Sequence, residues 1–193
     1  KEQMQQRWGE YFEKYYEKLS KVVDDIYGQT LQQNGEYICS TYYAISSGKT
    51  ESSADIWGGE LNYLIPVASP YDTLASNYQT TVTFTKEEIQ NILQNQWKDI
   101  VLDSFPQNWF QNVKRTNSGS ITEITVGGKI ITGSELRNLL GLRSPNFEIN
   151  FENNTFTFVV RGYGHGVGMS QYAASAMAAQ GASYQQILSW YYP

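Results

Sequence analysis

Residues 147–161 read Phe-Glu-Ile-Asn-Phe-Glu-Asn-Asn-Thr-Phe-Thr-Phe-Val-Val-Arg and run straight into 162–172, Gly-Tyr-Gly-His-Gly-Val-Gly-Met-Ser-Gln-Tyr. Phe147, Ile149 and Phe151 alternate with polar residues, the two-residue period of a half-buried strand. Asn153-Asn154 supplies a turn, and Thr155–Val160 returns, so the stretch predicts a β-hairpin. Beyond the glycine run, Ser170 reads as the N-cap of a small-residue helix over Gln171–Gln180, stopped by Gly181. Ser183 and Gln186 form a capping box that opens a second helix, Tyr184–Trp190. A hairpin handed directly to terminal helices, rather than strands alternating with crossover helices, indicates an α+β chain.

Working upstream, Thr122–Val126 and Lys129–Thr132 flank Gly127-Gly128 as another hairpin. A short helix, Glu135–Leu140, follows, with Ser134 as its expected cap and Gly141 as its stop. The segment from Trp97 to Ser118 has no clean period and carries no assignment. Tyr78–Phe84 alternates as a strand, and Thr85 with Glu88 forms a capping box before a helix over Lys86–Gln96. Asn34-Gly35 between Thr30–Gln33 and Glu36–Tyr43 predicts a type I′ hairpin. A polar, Ser-rich loop from Ser46 to Ala54 leads to an aromatic loop around Trp57. Residues 5–27 carry Trp8, Tyr11, Phe12, Tyr15, Tyr16, Leu19, Val22, Val23 and Ile26 at helical spacing, an amphipathic helix whose stripe is expected to pack in the core. One α+β domain of several hairpins is the resulting expectation, with an N-terminal amphipathic helix and two small-residue C-terminal helices.

Composition narrows the function. The chain has 193 residues, 40% of them hydrophobic, enough for one sizeable core. Fourteen Lys and Arg against 19 Asp and Glu give a net charge of -5, whereas a nucleic-acid binder carries a basic footprint. No nucleic-acid partner is therefore expected. A single cysteine, Cys39, and a single histidine, His165, exclude an intrachain disulfide and a zinc site built from Cys and His ligands. Neither metal nor cofactor is expected. The stretch without Asp, Glu, Lys or Arg from Gly162 to Pro193 is interrupted by Gly, Gln and Ser, unlike a membrane span.

The chemistry points to 161–172. Gly162, Gly164, Gly166 and Gly168 stand at alternate positions, which permits unusual backbone angles and close approach of a ligand or another strand. No register of these glycines satisfies the dinucleotide fingerprint, and no Lys-Ser/Thr follows as in a phosphate loop. The turn into a helix N-terminus offers free N–H groups to an anion or a polar substrate oxygen. The alternative is a tight β-to-α corner whose His165 satisfies backbone groups. A Cys39/His165 hydrolase is disfavoured because Ile38-Cys39-Ser40 falls in a predicted strand without a nucleophile turn.

Arg161–Tyr172, with Ala178 and Gly181–Pro193, closely resembles the C-terminal signature of the stage II sporulation protein D family, whose members include amidase-enhancer proteins. Ser46-Ser-Gly-Lys-Thr-Glu51, Asp55-Ile-Trp-Gly58, Tyr63-Leu64, Val67-Ala-Ser-Pro70 and Glu135–Ser144 agree in order, so the resemblance covers almost the whole chain. It implies an extracytoplasmic protein of the cell envelope, membrane-anchored or secreted, acting on peptidoglycan glycan strands during sporulation or wall turnover. Some members are lytic transglycosylases. These need one carboxylic acid, which protonates the glycosidic oxygen and then takes the proton of the sugar's own C6 hydroxyl as the 1,6-anhydro ring closes.

The family's acid is a Glu in a Glu-Met-Pro segment followed by an Ala-Ala-Arg-Thr-Tyr helix, and residues 1–193 contain neither. The resemblance thus implies the C-terminal major part of the domain, with the catalytic residue upstream of Lys1 or in a member lacking it. A missing N-terminal segment, a second copy or a cell-wall amidase are the implied protein partners. The alternative function is a non-catalytic glycan-binding or amidase-stimulating module. At Tyr43 members often carry His, and some hold zinc with Cys and His, which this chain is not expected to do. Candidate substrate contacts are Tyr163, His165, Gly166, Gly168, Ser170, Gln171 and Tyr172, faced by Ser46, Ser47, Thr50 and Glu51. Glu51 and Asp55 are the acids to test as surrogate catalysts, against a reading in which Asp55 anchors the loop to Trp57.

Overall fold

A computed structural model describes all 193 residues, and the chain is α+β as the patterns indicate. It resolves into two compact units, Lys1–Cys39 and Ser40–Pro193.

In the first unit the expected single helix is two, α1 (Glu2–Trp8) and α2 (Phe12–Asp25), joined by a 3-10 turn over Gly9–Tyr11. Gly9, at φ 51°, leaves the helical region, and that interrupts the run. The apolar stripe is not core: Phe12 is buried, while Tyr11, Tyr15, Leu19, Val22, Val23 and Ile26 are exposed. Its rings pack along the helix instead, Phe12 on Tyr16 at 5.4 Å and Tyr11 on Tyr15 at 5.8 Å, the i, i+4 spacing that brings helix side chains together. Asn34 and Gly35 both take positive φ, so the type I′ turn forms, but its strands β1 (Gln32–Gln33) and β2 (Glu36–Tyr37) are two residues each. The expected continuation to Tyr43 is absent. Tyr42–Tyr43 is a separate strand, β3, whose partner lies in the distant segment Met169–Ser170.

The second unit is built on two three-stranded antiparallel sheets. In one, β9 (Thr155–Arg161) lies between β4 (Gln79–Thr85) and β8 (Phe147–Glu152). In the other, β6 (Ile121–Val126) lies between β5 (Phe110–Arg115) and β7 (Lys129–Ile131). Phe156, Phe158 and Val160 alternate inward along β9 and are buried with Ile124, Val126, Leu136, Leu140 and Phe147, each such side chain stabilising by about 1.5–3 kcal/mol. Helix α4 (Lys86–Gln96) adds Ile89 and Leu93, and its Thr85/Glu88 capping box is formed at both ends. Strand β5 occupies the unassigned region. Asn112 at φ 52° and two register shifts against β6 break its alternation, the signature of a bulge. Helix α5 (Gly133–Leu140) starts two residues earlier than expected: Thr132, not Ser134, is its cap, because Glu135 then sits where its carboxylate accepts the Thr132 N–H at 2.7 Å.

The aromatic loop is a short helix, α3 (Ser53–Trp57), capped by Ser52 and ended by Gly58 at φ 77°. After β9 the glycine run crosses to β10 (Met169–Ser170), which pairs in parallel with β3. Helices α6 (Gln171–Ala179) and α7 (Tyr184–Tyr191) finish the chain with the expected caps, Ser170 and the Ser183/Gln186 box. They close a small second core of Ala173, Ile187 and Tyr191.

Candidate functional site

The alternate glycines let one strand lie flush against another. Tyr163 donates its N–H to Ile45 at 2.7 Å, Glu51 donates to the Gly166 carbonyl at 2.7 Å, and Met169 donates to Thr41 at 3.1 Å. The run 162–169 is thereby stitched to residues 41–51. All four glycines have positive φ, 78° to 121°. At Gly166 a Cβ would stand 2.8 Å from Glu51 Cγ, and at Gly168 it would meet the Thr41 carbonyl, so both conformation and space demand glycine.

This places His165 at the turn. Its Nδ1 accepts the Val167 N–H at 3.1 Å, and its ring lies 5.3 Å from Trp57 and 5.5 Å from Tyr43. Burial pushes its pKa down, a hydrogen bond to the Tyr42 backbone pulls it back up, and the nearby Arg137 charge lowers it further. With Nδ1 accepting, the neutral ring carries its proton on Nε2. Nδ1 therefore serves the turn's own backbone at Val167, and the ring lies beside Trp57, a side chain 47% exposed.

Glu51 is 1% exposed. Its Oε1 accepts from the Thr116 hydroxyl at 3.0 Å and from the Ser120 N–H at 3.3 Å, while Oε2 has no partner. Burial raises its pKa, the Ser120 and Thr116 hydrogen bonds oppose that, and the Asp55 charge adds to it. Glu51 and His165 line one crevice with Ser46, Asn146, Gly164 and Gly166. Its volume, about 10 Å³, is that of a single water.

Several hydroxyls named from the sequence are committed to the scaffold. Ser46 Oγ accepts from Gly48 N–H at 3.0 Å, and Ser47 Oγ donates to Ser118 at 3.1 Å. Thr50 Oγ1 donates to Ile65 at 3.2 Å and accepts from Val67 at 2.8 Å. Ser170 Oγ donates to Asp72 at 2.6 Å and accepts the Ala173 N–H at 3.4 Å. Gln171, Tyr163 and Tyr172 are exposed, and the Arg143 guanidinium lies 4.4 Å over the Tyr163 ring. Asp55 accepts from Ser52 at 2.7 Å. Cys39 is exposed and outside any strand.

Sequence reasoning missed Asp72, Thr116, Ser120 and Arg143, none of which sits in a periodic or capping pattern that advertises a distant partner. A larger cavity of about 420 Å³ lies between β5 and β8, lined by Phe110, Ile149, Phe151 and the rim residues Arg115 and Glu148. Those rim charges are already spent, Arg115 on the Gly119 and Phe147 carbonyls and Glu148 on Arg161, which makes the glycine-run surface the better candidate. His, Cys, Asp and Glu form no group of three that could hold a metal ion.

No family model matches the chain. It is 32% identical to the stage II sporulation protein D of Bacillus subtilis (strain 168) over 192 residues, covering all of this chain and 54% of that protein. It is 34% identical to the stage II sporulation protein D of Bacillus amyloliquefaciens, again over all of this chain and 54% of the relative. The amidase enhancer of Bacillus subtilis is 28% identical over 90% of this chain and 32% of its own length. The chain thus spans about half the length of the stage II sporulation proteins it matches. No helix is long and apolar enough to cross a membrane.

Proposed function

We propose that this chain, similar over its whole length to stage II sporulation proteins D, is a member of that family and remodels cell-wall peptidoglycan at the cell envelope during sporulation, holding glycan strands for lytic transglycosylase-type cleavage. The observation that carries the reading is the exposed Trp57 packed beside His165 at 5.3 Å on a glycine-lined surface. An indole face offers large apolar contact at small entropic cost, and sugar rings present apolar C–H faces to it. Tyr163 under Arg143, Gln171 and Tyr172 add polar and aromatic edge to the same segment.

Cleavage requires one acid in this chemistry. Glu51 is enclosed and bonded to Thr116 and Ser120, so it is not presented to a glycosidic oxygen, whereas Asp55 is exposed, with one oxygen accepting from Ser52, and stays the acid within residues 1–193 to test. The acid in this reading is the Glu of the family's Glu-Met-Pro segment, a tripeptide that residues 1–193 do not contain. Residues 1–193 supply the glycan-holding surface.

The test incubates the protein, alone and joined to a family Glu-Met-Pro segment, with glycan strands stripped of peptide. Retention of strands by both, and 1,6-anhydro-muramyl ends by mass spectrometry only in the joined protein, are expected. Failure of both proteins to retain strands overturns the reading. The relationship to an amidase enhancer favours a second reading, an amidase-stimulating module. Faster release of stem peptides when the chain is added to a cell-wall amidase, with no anhydro ends, distinguishes it.

A further inference from the structure

We infer that Glu51 is a positioning residue: wedged between the Thr116–Ser120 turn and Gly166, it holds the glycine run in the conformation in which His165 receives the Val167 N–H. The inference rests on the reading that this turn meets the glycan, but its geometry is independent of it.

Four observations converge. The Glu51 N–H donates to the Gly166 carbonyl at 2.7 Å, and Glu51 bridges to Val167 as a parallel β-pair. It therefore grips the residues on either side of the peptide whose N–H points at His165. Its Cγ lies where a Cβ at position 166 would come within 2.8 Å, so side chain and glycine interlock. Its Oε1 is anchored by Thr116 and Ser120, 65 and 69 residues further along the chain. Its Oε2 is buried without a partner, a cost that an apolar side chain of similar volume avoids. A group that burdens the fold in this way is explained by what it places, and what shares its crevice is His165.

Because His165 is the sole histidine, its imidazole signals in NMR are unambiguous. In the unaltered chain they are expected to show an unprotonated Nδ1, a protonated Nε2 and titration below the ordinary 6.5. Glu51→Gln keeps the shape and the Oε1 acceptor and should leave tautomer and titration unchanged. Glu51→Ala should release the tautomer, move the titration up towards 6.5, and weaken retention of peptide-stripped glycan strands by about tenfold, the size of one lost contact. A folded Glu51→Ala chain with the original His165 spectrum overturns the inference. Should that chain not fold, Thr116→Val decides: loss of the fixed tautomer supports the inference, and an unchanged spectrum overturns it. If His165 responds but no variant retains strands, the functional reading fails and the positioning role stands.

Discussion

Ser170 donates its hydroxyl to Asp72 at 2.6 Å across 98 residues of chain. Both side chains are fully enclosed, and Asp72 also accepts from Ser69 at 2.8 Å, whose oxygen lies 2.6 Å from the Tyr191 hydroxyl. Burial pushes the Tyr191 pKa from 10 up to about 12, so the phenol keeps its proton well into the alkaline range. One carboxylate thus ties the 3-10 turn Pro70–Leu74, the cap of α6 and the end of α7 together. Asp72→Ala leaves two buried hydroxyls without their acceptor and is expected to cost about 2–4 kcal/mol, read as a lowered urea midpoint. A midpoint equal to that of the unaltered chain would mean the network is not stabilising.

Gly128 and Gly168 share φ +83°, but nothing lies within 4 Å of a Cβ at 128, whereas at 168 the Thr41 carbonyl blocks it. Gly128→Ala should cost only the left-handed penalty, about 1–2 kcal/mol. Gly168→Ala must in addition push β10 off β3, and at least about 2 kcal/mol more is expected from the overpacking. Urea denaturation of the pair isolates the close approach from the conformational term; equal losses would contradict it.

Glu51 has its folded pKa raised above the ordinary 4.5, chiefly by burial. Between 4.5 and that raised value the folded chain binds more protons than the unfolded one, so stability falls as pH rises through this window and is then constant. Gln carries no such penalty. The melting temperature of Glu51→Gln should match the unaltered chain near pH 4 and exceed it by a margin that grows only through this window and is constant above it.

His165 contributes with the opposite slope. Its folded pKa is lowered by burial from 6.5, so below 6.5 the unfolded chain takes up the proton first and stability falls as pH falls towards the folded value. His165→Gln should flatten that part of the melting-temperature profile. Persistence of the slope in the variant would assign it elsewhere.

Trp57→Ala removes an exposed ring and should leave the unfolding free energy from urea denaturation within about 0.5 kcal/mol of the original. Retention of glycan strands should fall about tenfold, the worth of one aromatic contact, and Trp57→Phe should recover part of it. Unchanged retention would remove Trp57 from the binding surface.

Much of the fold is legible in local chemistry. Thr85 with Glu88 and Ser183 with Gln186 satisfy a helix N-terminus within four residues, and Asn153-Asn154 closes a hairpin because both residues adopt positive φ. Such signals need no knowledge of the rest of the chain. Strand β5 was hidden because the bulge at Asn112 scrambles the two-residue period. The stripe on α2 was legible as a stripe but not as exposed, since periodicity describes a face and not what covers it.

The candidate site divides along the same line. The sequence by itself determined that residues 161–172 form a glycine-rich turn between a strand and a capped helix, because glycine spacing, strand alternation and the Ser170 cap are properties of neighbours. Only the tertiary structure decided that Tyr42–Tyr43 leaves its hairpin to run beside Met169–Ser170, that Glu51 is interlocked with Gly166, and that the His165 ring lies against Tyr43 and Trp57 with Nδ1 on the Val167 N–H. Each of these depends on packing between segments more than 100 residues apart, or on hydrogen bonds to backbone groups whose place that packing sets. No pattern within a window of the sequence encodes them.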